Sequence, residues 1–78
     1  MPEIVSINIE LEESVAGVDA TGWFELLGKT YRASAHAPEN HRDHRIAHDL
    51  AVARVMRGLE LELMEWIHEH IDRYIKDE

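Results

Sequence analysis

Residues 18–37 read VDATGWFELLGKTYRASAHA, and this stretch decides the fold. It holds two strand-like runs, at about 18–27 and 30–37, separated only by Gly28-Lys29. A two-residue loop that begins with glycine is typical of a type II′ turn, which joins the strands of an antiparallel hairpin. The sequence therefore predicts a β-hairpin in which Leu27 pairs with Thr30.

This register gives the hairpin one polar and one apolar face. On the polar face Glu25 lies opposite Arg32, and Trp23 lies opposite Ser34. On the other face the predicted pairs are apolar, with the large Phe24 opposite a small alanine. They are Leu26–Tyr31, Phe24–Ala33, Gly22–Ala35 and Ala20–Ala37. The alanines of the second strand leave a shallow surface, which suits a helix that packs close to the sheet.

A further strand is predicted before the hairpin, at residues 4–11. Val5, Ile7, Ile9 and Leu11 alternate with residues on the other side, as expected of a half-buried strand. Residues 12–17 are predicted to be a loop. The three strands would then form an antiparallel meander.

Helical periodicity replaces strand alternation after residue 43. Pro38 ends the last strand, because proline cannot extend it as an inner strand. Asp43 is a suitable N-cap, and no proline interrupts residues 44–78. We therefore predict a single helix over about residues 44–76. Gly58 is its weakest position, at a cost of about 1 kcal/mol relative to alanine.

The resulting fold class is α+β, with a three-stranded antiparallel meander followed by one long C-terminal helix in a single domain, residues 1–78. An apolar stripe is expected along the first half of the helix. Its members are Ile46, Leu50, Ala53 and Met56.

This helix is too long for its sheet. A helix of about 30 residues spans about 45 Å, whereas strands of eight residues span about 27 Å. The second half of the helix is nevertheless apolar on more than one face, which predicts contact with another chain. The expected self-association residues are Leu59, Leu63, Trp66, Ile67, Ile71 and Tyr74.

The segment from Ile46 to Leu59, behind a Gly-Lys hairpin and an alanine-rich strand, resembles a known family. It is similar to small actinobacterial and actinobacteriophage proteins of unknown function that are described as double-stranded-RNA-binding-domain-like. The matching helix residues are Ile46, Asp49, Leu50, Ala51, Ala53 and Arg54. The resemblance implies a double-stranded-RNA-binding-domain-like fold without its first helix, and it implies no activity.

Composition excludes several classes of protein. There is no cysteine, so disulfides and thiolate metal sites are ruled out. The N-terminus lacks the features of a signal peptide, and no apolar run is long enough to cross a membrane. We therefore expect a cytoplasmic protein, in the host cytoplasm if a phage encodes it. The net charge of −8 opposes nonspecific binding to nucleic acid.

Two polar clusters are candidate sites of chemistry. His41, His44 and His48 have helical spacing, but they lack the glutamate of a metallohydrolase motif, and solvated histidines are the favoured interpretation. No catalytic residues, cofactor or metal are predicted, and we expect no enzyme. The start of the helix is basic, and an anion or nucleic-acid contact there is the alternative function. Its residues would be His41, Arg42, His44 and Arg45.

The sequence thus favours a non-enzymatic protein-interaction module that forms a homodimer through its C-terminal helix, in a bacterial or phage regulatory role. An unidentified protein partner is the further possibility, and nucleic acid is the less favoured partner.

Overall fold

In a computed structural model, the chain forms a three-stranded antiparallel sheet followed by one long helix. The structure describes the backbone of residues 1–39 and 44–76, and their side chains except at 44 and 72–76. The elements are β1 (Asn8–Ser14), β2 (Gly17–Leu26), β3 (Lys29–Pro38) and α1 (His44–Lys76). The strand order β1-β2-β3 confirms the predicted α+β meander with its C-terminal helix. Within the described residues, no helix combines the length and the apolar character needed to cross a membrane.

The first strand lies later in the sequence than predicted. β1 pairs with β2 from Asn8, opposite Trp23, to Ser14, opposite Gly17, so the predicted bounds of 4–11 are wrong at both ends. The Ser14 hydroxyl explains the later end, because it accepts a hydrogen bond from the amide of Ala16 at 3.2 Å and supports a tight turn there. Alternation predicts which side chains share a face of the strand, but it does not predict where the hydrogen-bonded pairing with the next strand ends.

The hairpin between β2 and β3 also differs from the prediction. Leu26 pairs with Lys29, and the loop is Leu27-Gly28 rather than Gly28-Lys29. Both loop residues have positive φ, 51° at Leu27 and 83° at Gly28, as in a type I′ turn. The predicted pairing of Leu27 with Thr30 is therefore wrong, although Gly28 does have the positive φ that the predicted type II′ turn also requires at this position.

Phe24 consequently faces Tyr31 instead of Ala33, and their rings stack with centroids 4.9 Å apart. Stacking of this kind contributes about 0.5–1.5 kcal/mol beyond simple burial, which favours the observed register over the predicted one. Because each pairing changes by two positions, every side chain keeps its predicted face. Trp23 therefore stays on the outer face, now opposite Arg32.

A small core lies between the inner face of the sheet and α1. On the helix, the buried residues recur every four positions, at Ala47, Ala51, Val55 and Leu59. On the sheet they are Val18, Ala20, Phe24, Tyr31 and Ala37. Sheet and helix lie close together, since a Cβ atom added at Gly22 would collide with Val55. The shallow alanine surface predicted for the sheet is confirmed by this close approach.

The apolar stripe predicted for the first half of the helix is not the buried one. Ile46 and Met56 are about half exposed, at 49% and 50%, and Leu50 and Ala53 are also exposed. Small side chains face the sheet because the two layers approach so closely, and the larger ones are left outside that contact. Met56 thereby becomes available to another surface.

Candidate functional site

α1 lies off the centre of the sheet. It packs mainly on β3, less on β2 and least on β1. The inner face of β1 is therefore poorly covered, and Ile7 just before it and Leu11 within it remain 50% and 40% exposed. Ile9, between them, packs against the core. Because of this placement, an apolar strip of the sheet stays uncovered on the β1 side of the helix.

The uncovered strip forms a groove beside α1. Phe24 and Leu59 are its most deeply buried members, at 6% and 2% exposure. The other lining residues are Val5, Ile7, Leu26, Met56, Glu60 and Leu63. Glu60 is the only charged residue among them. A groove of this composition suits apolar side chains of another surface.

A second apolar surface lies at the far end of the helix and is formed by Trp66, Ile67, His70 and Ile71. The Trp66 and His70 rings stack with centroids 4.1 Å apart, and His70 Nδ1 donates to the Trp66 carbonyl oxygen at 2.8 Å. These contacts fix the orientation of both rings. The surface is open, since Trp66 is 37% and Ile71 40% exposed.

Lys29 connects the hairpin turn to this helix end. Its Nζ atom lies 5.3 Å from the centre of the Tyr31 ring and 5.9 Å from that of Trp66. Trp66 thus marks how far the hairpin turn reaches along α1. Residues 67–76 continue beyond it for about 15 Å at the usual helical rise.

The structure separates the six predicted self-association residues. Leu59 is buried in the core of its own chain, so its prediction as an interface residue is wrong. It packs on the sheet because it belongs to the same i, i+4 series of buried residues as Ala47. Leu63 is partly buried against the core and lines the groove. Trp66, Ile67 and Ile71 lie together on the open helix end, and their role in self-association remains a prediction. The side chain of Tyr74 lies outside the described residues.

Charge is unequal along α1. Its first part, residues 44–57, contains Arg45, Arg54 and Arg57 against a single acid, Asp49. Residues 58–71 contain no lysine or arginine but four glutamates, at positions 60, 62, 65 and 69. The helix therefore has a basic half and an acidic half.

The predicted basic patch is described only in part. His41 and Arg42, and the side chain of His44, lie outside the described residues. Arg45 is 87% exposed and lies 3.9 Å from Asp49. Arg54, which is not one of the predicted contact residues, donates to the backbone carbonyl of His36 at 2.7 Å and ties the helix to β3.

Two histidines, one on the sheet and one near the start of the helix, each contact a carboxylate. His36 lies 2.7 Å from Asp19, and His48 lies 2.5 Å from Glu13. Among the residues with described side chains, no group of three histidines or acids comes together as a metal site would require. Of the three histidines considered from the sequence, His41 and the side chain of His44 lie outside the described residues.

Sequence reasoning missed the groove. The sequence predicts Val5 and Ile7 within the first strand and Met56 on an apolar helix stripe, and neither prediction leaves these side chains beside an open groove. A detectable signal was the run Ala47-Ala51-Val55-Leu59-Leu63, whose i, i+4 spacing identifies the sheet-facing stripe and leaves Met56 beside it.

Fold and site together define a small α+β protein with an open apolar groove and an apolar helix end. Neither the family models, nor the curated proteins, nor the solved structures contain a match to this chain. The double-stranded-RNA-binding-domain-like resemblance therefore remains a prediction.

Proposed function

We propose that the protein is a non-enzymatic interaction module that self-associates, forming a homodimer through the C-terminal half of α1. The observation that carries this proposal is the open apolar surface of Trp66, Ile67, His70 and Ile71 at the helix end. Such surfaces, when contiguous, mark sites of protein association.

The amount of exposed surface supports the same proposal. The chain exposes 6468 Å², whereas a compact monomer of 9.0 kDa would expose about 4,900 Å². The excess reflects an elongated chain whose long helix extends past its sheet, and a standard interface would cover about 800 Å² of each partner. The radius of gyration agrees, at 16.0 Å against about 11.5 Å for a compact chain of this length.

The size of the core gives a further reason for association. Nine hydrophobic residues with described positions are buried, and four of them are alanines. A core with so few large side chains contributes little hydrophobic stabilisation, and small domains of this kind depend on additional burial. A second chain would supply it without disulfides or metal.

We place this module in the cytoplasm, and in a bacterial or phage regulatory role, on the strength of the absent cysteines and of the family resemblance. Nucleic-acid binding has weaker support. Within the described residues the proposed contact retains only the side chain of Arg45, and Asp49 lies beside it.

The proposal is tested by measuring the mass in solution of two matched variants. Ile67→Glu places a charge on the apolar helix end, while Leu61→Glu makes the same kind of change at a position that is 57% exposed and outside both apolar surfaces. By size-exclusion chromatography with light scattering, we expect Leu61→Glu to remain dimeric and Ile67→Glu to become monomeric. Equal masses for the two variants would contradict the proposal.

A further inference from the structure

The groove and the open helix end lie on one line along α1. Met56, Glu60 and Leu63 line the groove, and Ile67 and His70 belong to the helix end. These five positions are separated by four, three, four and three residues. Such alternation is the repeat by which two helices pack side by side over a long contact.

Resting on the self-association proposed above, we infer that the groove is occupied by α1 of a second copy, running antiparallel, with the two-fold axis at the level of residue 65 along the helix, between Leu63 and Ile67. In this register Leu63 lies opposite the partner's Ile67, and Glu60 lies opposite the partner's His70. Each pair occurs twice, once on each side of the axis, as a two-fold interface requires. The one acid in the groove thus meets the one basic residue of the helix end.

The local geometry of His70 suits this pairing. Its Nδ1 atom carries a proton, because it contacts a carbonyl oxygen, which can only accept. Stacking on Trp66 holds the ring in place. In the imidazolium form Nε2 carries a proton as well, and it is the atom that can donate to a carboxylate of another chain.

Other registers pair these residues badly. A parallel arrangement would bring Glu60 against its own copy. An antiparallel arrangement shifted by one heptad toward the sheet would set Glu60 opposite the partner's Leu63 and desolvate a carboxylate without a partner. The register centred near Glu65 avoids both costs.

The dimensions of the sheet agree with a second helix at this place. Packed helices lie 8–10 Å apart, and two strand spacings amount to about 9.6 Å. With α1 mainly on β3, a neighbouring helix in the same layer would lie above β1. There it would cover Val5 and Ile7, which are 45% and 50% exposed.

Cysteine cross-linking tests this register, since the chain has no cysteine of its own. Glu60→Cys and His70→Cys are prepared as separate full-length chains, mixed, unfolded and refolded together, and mildly oxidised. In the inferred register, position 60 of one chain is close to position 70 of the other. Two copies of the same position lie ten residues apart along the helices, about 15 Å, which exceeds the reach of a disulfide.

We expect a disulfide-linked dimer from the mixture and none from either variant alone. A strong cross-link in Glu60→Cys alone would indicate parallel helices and overturn the inference. A dimer seen by light scattering without a cross-link in the mixture would overturn this register but leave self-association intact. A monomeric parent chain would contradict both.

Discussion

Gly58 of the helix lies directly over Ala33 of β3, so close that a Cβ atom at position 58 would come within 2.8 Å of the Ala33 Cβ atom. Real Cβ atoms do not approach one another so closely, and neither atom can rotate away. This contact sets how near α1 approaches the sheet. It explains why a glycine stands in the middle of a long helix.

We therefore predict that Gly58→Ala destabilises the protein, although alanine favours a helix by about 1 kcal/mol relative to glycine. Overpacking at the contact with Ala33 costs about 1–3 kcal/mol and outweighs that gain. Urea unfolding measures the change. Ala53→Gly, at an exposed helix position, is the control and should lose about 1 kcal/mol through propensity alone. If Gly58→Ala proved more stable than the parent, the close contact between α1 and β3 would be wrong.

The turn between β2 and β3 gives a second prediction. Leu27 has a φ of 51°, which is unfavourable for leucine. Its side chain is 89% exposed, so burial does little to offset that cost. Leu27→Asn should stabilise the protein by about 0.5–1 kcal/mol, because Asn-Gly is the preferred type I′ sequence. The midpoint of urea unfolding should rise.

Gly28→Val is the companion variant. No atom lies within 4 Å of a Cβ atom added at Gly28, so any effect must come from the positive φ of the backbone rather than from a clash. We expect a loss of more than about 1 kcal/mol. If both variants unfolded like the parent, the turn would not be formed by these two residues.

The basic start of the helix gives a third prediction. Replacing Arg42 and Arg45 with Glu should leave the free energy of unfolding nearly unchanged, because an exposed ion pair such as Arg45–Asp49 contributes little. Arg54→Ala is the contrasting variant and should cost about 0.5–1.5 kcal/mol, since it removes the hydrogen bond to the His36 carbonyl.

The same double variant measures the alternative function. We expect neither it nor the parent to bind double-stranded RNA or DNA with the steep salt dependence that phosphate contacts produce. Tight, salt-sensitive binding by the parent that is lost in the double variant would favour a nucleic-acid module over self-association.

Side-chain alternation and helical periodicity were sufficient to predict the order of the elements, the faces of the hairpin and the length of α1. The hairpin register was not predictable from the same signals, because local preferences do not place a leucine at positive φ. That position is decided by the stacking of Phe24 on Tyr31, which belongs to the packed sheet.

The groove was unpredictable for a different reason. It depends on which strands α1 covers. The position of α1 on the sheet is set by the close contact between Gly58 and Ala33, which no single segment of sequence reveals. The contacts His48–Glu13 and Arg54–His36 likewise join residues that are far apart in sequence. By contrast, the apolar helix end at Ile67 and Ile71 was predictable, because a single helix carries it.

Trp66→Glu is a fourth prediction and concerns the residue at the junction of the sheet and the helix end. The change removes its stacking on His70 and places an acid in the apolar surface. We expect a monomer with retained helical circular dichroism, or an unfolded chain if association is needed for folding. A folded dimer with the mass of the parent would contradict a role for Trp66 in association.

The central claim is that the apolar helix end is covered by a second copy of the chain, and sedimentation equilibrium of the unmodified protein tests it most directly. Over a range from low to high micromolar concentration, we predict a mass that rises toward about 18 kDa, twice the 9.0 kDa of one chain. A mass that stays at that of one chain up to several hundred micromolar would contradict the account.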